Sequence, residues 1–282
     1  MSQNHYVSST DLWWLNFNKS ILKKFETLEN TVSIVIQGPL NDRSLKTIPS
    51  YLKYGEVIVS CWGNDNLSKL DSYKKDIKIV INNCEYIKSK SVRTNQKNPI
   101  ILQNYTTLNG LKKASGHFTI KTRSDESYPV LDPLIDMLRK NRDTKDAKTG
   151  VYNWHKIITS NIYFRHDKEC KFHPSDHLIA GQTKRMKEIF KESYRRCTTN
   201  EVSLNPEVLI GKSVIESYFD PILKKWDKAE SRRSVELMQK HFEIIRVSNL
   251  PKSIWTSSYR KYDPLKGEED WCHHINDIKK YT

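Results

Sequence analysis

Two short runs carry residue types able to do chemistry. Phe118-Thr119-Ile120-Lys121-Thr122-Arg123-Ser124-Asp125-Glu126 alternates as a strand and then breaks into adjacent carboxylates. In an open α/β sheet, ligands bind in the crevice beyond the carboxyl ends of the strands. Carboxylates there suit a hard divalent cation, which in nucleotide-dependent enzymes bridges protein and phosphate oxygens. Lys121 and Arg123 share strand parity with Asp125, so all three can face one anionic ligand. The alternative is a solvated turn. The second run, His173-Pro174-Ser175-Asp176-His177, directly precedes apolar Leu178-Ile179-Ala180-Gly181. Asp176 can act there as a general base toward an attacking hydroxyl, with the histidines assisting or holding phosphate. Its alternative is a capped turn in which Ser175 or Asp176 holds backbone amides.

The elements that must position these runs read as alternating strands and helices. Val32–Gln37 is a strand of near-continuous β-branched residues, suited to the centre of a sheet, and Gly38-Pro39 ends it. A helical pattern from Asp42 to Tyr54 follows, interrupted by Pro49. Strands at Glu56–Cys61 and Ile77–Asn82 bracket a short helix near Leu67–Tyr73, and residues 102–114 repeat Leu102, Tyr105, Leu108 and Leu111 at helical spacing. With the strand that ends at Asp125, this order implies a mainly parallel sheet with right-handed crossovers. The second half is less regular. Helix starts fall at Asp132-Pro133 and Asn205-Pro206, where a capping residue precedes proline. Residues 157–165 and 241–248 read as strands, 177–181 as a short strand or turn, and Thr183 to Arg196 as a helix.

Composition narrows the classes. The 282 residues make one large or two small domains with ample core. No stretch reaches the about 18 continuous apolar residues of a membrane span, and the first residues lack the pattern of a secretory signal. Five cysteines, Cys61, Cys84, Cys170, Cys197 and Cys272, are scattered without a CxxC pair, which points to free thiols in a reducing compartment, the cytoplasm. Lys and Arg number 47 against 33 Asp and Glu, a formal charge of +14. That balance favours polyanions or phosphate-bearing substrates. Yet the lysines are dispersed in pairs, and no zinc-finger spacing, RNA-recognition signature or obvious helix-turn-helix appears, so nucleic acid is not the expected partner. Within residues 1–30, Trp13, Trp14, Phe17, Ile21 and Phe25 alternate with lysines. This is a helical extension that either packs on the domain or touches a membrane surface.

Several motifs are missing. Gln37-Gly38-Pro39 is not the G-x-G-x-x-G of dinucleotide dehydrogenases, and there is no P-loop, G-x-S-x-G or HExxH. Trp271-Cys272-His273-His274 does not make a metal site, because adjacent histidines diverge on any regular element. Cys170 and His173 likewise lack matching ligands.

Five segments occur in one order: Ser33–Pro39, Val59-Ser60-Cys61-Trp62-Gly63, Thr107–Ala114, Ile120–Glu126, and Ser175-Asp176-His177-Leu178 with Gly181. That order, over about residues 32–215, resembles the WavE-like lipopolysaccharide-synthesis family, glycosyltransferases of GT-A type also found in large DNA viruses. The resemblance implies a nucleotide-sugar donor, a divalent metal (Mn2+ or Mg2+) and transfer to a hydroxyl of a glycan. Ser124-Asp125-Glu126 takes the place of the Asp-x-Asp motif with serine first, which makes Asp125 the metal ligand and Glu126 a second ligand or a contact to the donor sugar. Gln37 and Gly38 match the turn where the donor's base and ribose lie, and Asp65 follows the second strand as a further base or ribose contact. Gln103 sits where the family carries an Arg-Gln pair, with Leu102 in the arginine's place, and so Lys121 and Arg123 become the diphosphate contacts. Asp176 is the base of an inverting transfer, or orients the acceptor in a retaining one.

The expected fold is therefore α/β and GT-A-like, with a mainly parallel central sheet flanked by helices. Residues 1–30 form the extension and 31–282 a single domain, with a Rossmann-like nucleotide-sugar half at 31–127 and an acceptor-side half at 128–282. The expected function is metal-dependent transfer of a sugar, UDP-linked as is common in this fold class, to a glycan acceptor in the cytoplasm, of a host cell if the chain is viral. Two alternatives stand beside it. One is a non-catalytic basic binder of nucleic acid or anionic surfaces. The other is a sugar-nucleotide nucleotidyltransferase, although the glycine-rich basic signature of that class is missing after the first strand.

Overall fold

The β-branched run at the start of the domain forms β1 (Val32–Gln37), buried at every position and hydrogen-bonded on both sides. The computed structural model describes residues 31–84, 99–141, 144–145, 152–153, 155–162, 164, 172–198, 206–217 and 238–254. The expected N-terminal helix, Cys170, and Trp271–His274 lie outside the described residues. On one side β1 pairs in parallel with β2 (Glu56–Trp62), and β2 with β3 (Ile77–Asn82). On the other it pairs in parallel with β4 (Phe118–Arg123), which sets Gln37 abreast of Arg123. The chain thus builds outward from β1 and then returns to its other flank, leaving a topological switch point between β1 and β4. Ligand crevices form at such points because the two crossovers diverge there.

The rest of the sheet comes from the second half of the chain. The full order is β3-β2-β1-β4-β8-β7-β9, with β7 at Ile157–Ser160, β8 at Ile179–Gln182 and β9 at Phe242–Ile245. β8 runs antiparallel to both neighbours, while β7 and β9 pair in parallel. The mainly parallel sheet is borne out, and the antiparallel β8 is an addition to it. A two-stranded hairpin, β5 (Thr144–Lys145) with β6 (Tyr152–Asn153), was not anticipated. Two-residue strands carry too little period to be read from a sequence.

Helices cover both faces. α1 (Asp42–Tyr51) and α3 (Asp132–Lys140) bury Ile48, Tyr51, Leu134 and Leu138 with Ile34, Ile36 and Ile120 of the strands. α2 (Pro99–Lys113), α4 (Thr183–Thr198) and α5 (Pro206–Ser217) bury Leu108, Leu111, Phe190 and Val214 with Val35 and Ile58 opposite. Pro49 lies exposed in the last turn of α1, where a proline sacrifices one helical hydrogen bond. Asn41 caps the first turn by accepting from the Arg43 amide at 2.9 Å. α2 approaches the sheet closely at Gly110, where a Cβ would lie 2.5 Å from Val35 Cγ1. Among the described residues, no helix is long and apolar enough to cross a membrane.

At the amino ends of the strands, opposite the crevice, Glu56 ties several elements together. It accepts from Ser33 Oγ at 2.6 Å, from the Ser115 amide at 3.0 Å and from Ser115 Oγ at 2.9 Å, and it pairs with Lys78. Burial raises its carboxyl, but these donors outweigh burial and hold it at about 2, below the ordinary 4.5. A depressed folded-state value adds stability above the unfolded value, and that stability is lost as pH falls toward the folded one. The melting temperature of Glu56→Gln should therefore lie below that of the native protein at pH 7, and the gap should close between pH 4.5 and about 2. A gap that stays constant over a pH series of calorimetric melts would refute this role.

Candidate active site

The crevice at the switch point is a cleft of about 350 Å³. Three elements line it: the β1 turn (Gln37 to Asn41), the first turns of α2 (Pro99, Gln103) and the end of β4 (Arg123, Ser124, Asp125). Parallel pairing brings both strand ends to the same edge, and the chain then turns back. The Ser124 amide donates to the Gln37 carbonyl at 2.9 Å, and the Gly38 amide donates to the Ser60 carbonyl at 3.1 Å. Gly38 has φ 121°, and a Cβ there would meet Ser124 Oγ at 2.7 Å, so only glycine suits the position. Gln37 is 7% exposed, and its Oε1 has no hydrogen-bond partner. A buried acceptor without a partner, on a residue that lines the cleft, would be satisfied by a donor group on a ligand that reached it.

Asp125 stands on this wall in a two-pronged ion pair. Arg123 Nε donates to Oδ1 at 2.9 Å and Nη2 to Oδ2 at 2.8 Å. Arg43, in the first turn of α1, donates from Nη1 to the Asp125 carbonyl at 2.8 Å. Burial raises the Asp125 carboxyl, but the guanidinium outweighs burial and holds it below the ordinary range, so Asp125 is ionised.

Its neighbour Glu126 faces the other way. It is fully buried, pairs through Oε1 with His177 Nδ1 and accepts the Tyr128 hydroxyl on Oε2 at 2.9 Å. Burial lowers the His177 imidazole, but Glu126 and then Asp176 outweigh it and raise the imidazole above its ordinary value. The same burial, reinforced by Glu126, pushes the Tyr128 hydroxyl well up.

β8 explains how the second run reaches the first. Because β8 is antiparallel to β4, the residues entering β8 arrive beside the residues leaving β4. Asp176 is 2% exposed and receives Gln103 Nε2 on Oδ2, while its backbone carbonyl accepts from Lys121 Nζ. His177 Nε2 lies 3.7 Å from Asp176 Oδ1, an oxygen with no hydrogen-bond partner. Burial raises the Asp176 carboxyl, but His177, Lys121 and Arg123 together hold it far below the usual range. Lys121 is fully buried, and burial draws its amine below the ordinary value.

The structure thus gathers Gln37, Gly38, Gln103, Arg123 and Asp125 at one cleft. Asp176 stands behind Gln103, and Lys121 and Glu126 lie beneath the wall and do not line it. Asp65 is separate: its Oδ2 accepts the Trp62 amide at 2.8 Å and closes the turn after β2. As for a divalent cation, Asp125 offers hard oxygens on the wall. No group of three or more His, Cys, Asp or Glu is placed to share one among the described residues. That donor set fits a cation held by one carboxylate together with substrate phosphates, the habit of Mg2+. Arg43 and Tyr128 escaped the sequence reading. Arg43 had a signal, a cation in the first turn after β1, whereas Tyr128 had none.

Because Glu126 is a fully buried carboxyl group held by His177 and Tyr128, Glu126→Ala should cost about 3–5 kcal/mol in urea unfolding, by leaving both buried groups without their partner. A carboxylate that served only the cleft would cost within about 0.5 kcal/mol on removal, and that smaller value would refute the interior role.

A family model described as WavE lipopolysaccharide synthesis matches residues 32–207. Comparison with curated proteins finds no match. Among solved structures, the mannosyltransferase PcManGT from Pyrobaculum calidifontis, in complex with GDP-Man and Mn2+, aligns at 12% identity and a TM-score of 0.37. The alignment covers 66% of this chain and 51% of that one, so this chain spans about half of that protein's length. Nothing about this chain's chemistry rests on so loose a likeness. The family match takes in both cleft-forming strand ends and the Asp176 run, and by it the chain belongs to the WavE lipopolysaccharide synthesis family.

Proposed function

We propose that the protein moves a sugar from a nucleotide-sugar donor, UDP-linked, to a hydroxyl of a glycan acceptor, with Mn2+ or Mg2+ held at Asp125. The observation that carries this reading is the cleft at the β1/β4 switch point, with an ionised carboxylate and a guanidinium on one wall. Gln37 and Gly38 take the base and ribose: the unpartnered Gln37 Oε1, once turned toward the cleft, accepts from the base, and the bare Gly38 backbone lets the ligand approach. Arg123 faces the diphosphate, where preorganised positive charge favours the departing nucleotide. A divalent cation, when bound, supplies further neutralisation of that leaving group.

Asp176 marks the acceptor side. Its buried Oδ1 lacks a donor, and once Gln103 moves aside to admit the acceptor it would orient the acceptor hydroxyl or, in an inverting transfer, take the proton. Gln103, between Asp176 and the cleft, fixes the carboxylate by holding its other oxygen.

The test is a panel of UDP- and GDP-sugars with and without Mn2+, read both as melting-temperature shifts and as release of nucleoside diphosphate. One nucleotide should raise the melting temperature in a metal-dependent way through mass action. Asp125→Ala should abolish the metal dependence and cut turnover about a hundredfold or more. Asp176→Asn should keep the donor-induced shift while losing turnover. No shift with any nucleotide, together with steeply salt-dependent nucleic-acid binding, would replace this reading with that of a basic binding module.

A further inference from the structure

Among the residues lining the cleft, Asp125 is the one carboxylate, and both of its oxygens are already taken by Arg123. A guanidinium fork binds carboxylate and phosphate with the same two-pronged geometry. Arg123 therefore has a second class of partner in any ligand that brings a diphosphate. Asp125 has one too, a hard cation. The side chains are 30% and 29% exposed, so burial does not lock the pair shut. The surroundings also allow an exchange of partners. Arg43 holds the Asp125 carbonyl at 2.8 Å, so the backbone of the turn stays fixed when the side chain changes partner. Arg123 Nε lies 3.7 Å from Glu126 Oε1, and buried Asp176 attracts it as well, so the guanidinium stays compensated in place, but neither carboxylate offers it the two hydrogen bonds of the Asp125 fork. Glu126 cannot substitute for Asp125 without giving up His177 and Tyr128.

We propose that Arg123 is an exchangeable counter-ion on Asp125, so that the divalent cation and the nucleoside diphosphate bind as a mutually dependent pair. This rests on the nucleotide-sugar reading of the cleft. A cation arriving alone has to displace Arg123 and costs it both hydrogen bonds of the fork. A diphosphate arriving alone draws Arg123 away and leaves the Asp125 carboxylate facing phosphate oxygens. When both arrive, the cation takes Asp125, Arg123 takes the phosphates, and every charge keeps a partner. The coupling is reciprocal by linkage: each ligand tightens the other by the same factor.

The experiment is calorimetric titration of the full chain with Mn2+ alone, with UDP or GDP alone, and with each nucleotide at saturating Mn2+. It is corrected for nucleotide–metal complexation measured without protein and repeated on Arg123→Gln. In the native protein, Mn2+ alone should bind weakly and the nucleotide should tighten it well beyond solution complexation. In Arg123→Gln, Mn2+ alone should bind about tenfold more tightly because Asp125 is released, while nucleotide at saturating Mn2+ should bind about tenfold more weakly, each change being the worth of one hydrogen-bonded charge. Misfolding would weaken both, so opposite signs identify the exchange. Arg123→Lys, which keeps the charge and loses the fork, should fall between. Unchanged or weaker Mn2+ binding in Arg123→Gln, with native circular dichroism, overturns the exchange and leaves the transferase reading standing. Failure of the native protein to bind either nucleotide with Mn2+ overturns both.

Discussion

Behind the carboxyl end of β4, charges of both signs share a space from which water is largely excluded. Glu126, Asp176 and Lys121 are buried, His177 nearly so, and Arg123 bridges from this interior to the cleft. An isolated ion in such a place would be prohibitively destabilising, and its presence depends on partners that compensate it. Glu126 answers His177 and Tyr128, Lys121 answers the carbonyl of Asp176, and Gln103 supplies the neutral donor that Asp176 needs. The cluster joins β4, α2 and the run entering β8. The helix, the sheet and the loop are thus held in one arrangement by the requirement that no member be left unpaired.

That arrangement has a functional side. Cleft and cluster share Arg123, so the wall that meets the ligand is backed by fixed charge and not by mobile water. The proposed transfer of a glycosyl group from a diphosphate calls for preorganised charge of this kind, because it need not reorient as the leaving group develops. The wall itself is built economically: one turn from β1, one from β4 and the start of α2. Gly110 sets the height of α2 above the sheet, and thereby the reach of Gln103, although the two lie two turns apart on the helix.

Much of this was legible in the residues. The β-branched run of β1, the alternation of β4 and the proline-marked helix starts located the elements, and the turn after β1 with the break after Arg123 located the cleft. The long-range pairings were not legible. Strand parity placed Lys121 and Arg123 on one face, but parity cannot tell that the run entering β8 covers Lys121 while Arg123 stays partly open. Adjacent carboxylates look alike in a sequence, yet one turn sends Asp125 to the surface and Glu126 into the interior. Gln103 meets Asp176 across 73 positions of chain, and only the antiparallel β8, too short to show a direction by its pattern, makes that meeting occur.

The contact between Gly38 and Ser124 bears on how this site can vary over evolutionary time. With so little room between the two turns, a side chain gained at one position must be compensated at the other. The small side chain of Ser124, 5% exposed, is then part of a spatial compromise and fills the niche against the bare Gly38 backbone. The two positions form a single unit of inheritance. A lineage that placed a larger side chain at 124 would have to reshape the turn after β1, and that turn also shapes the cleft. In this fold, the identity of residue 124 and the shape of the cleft would therefore drift together.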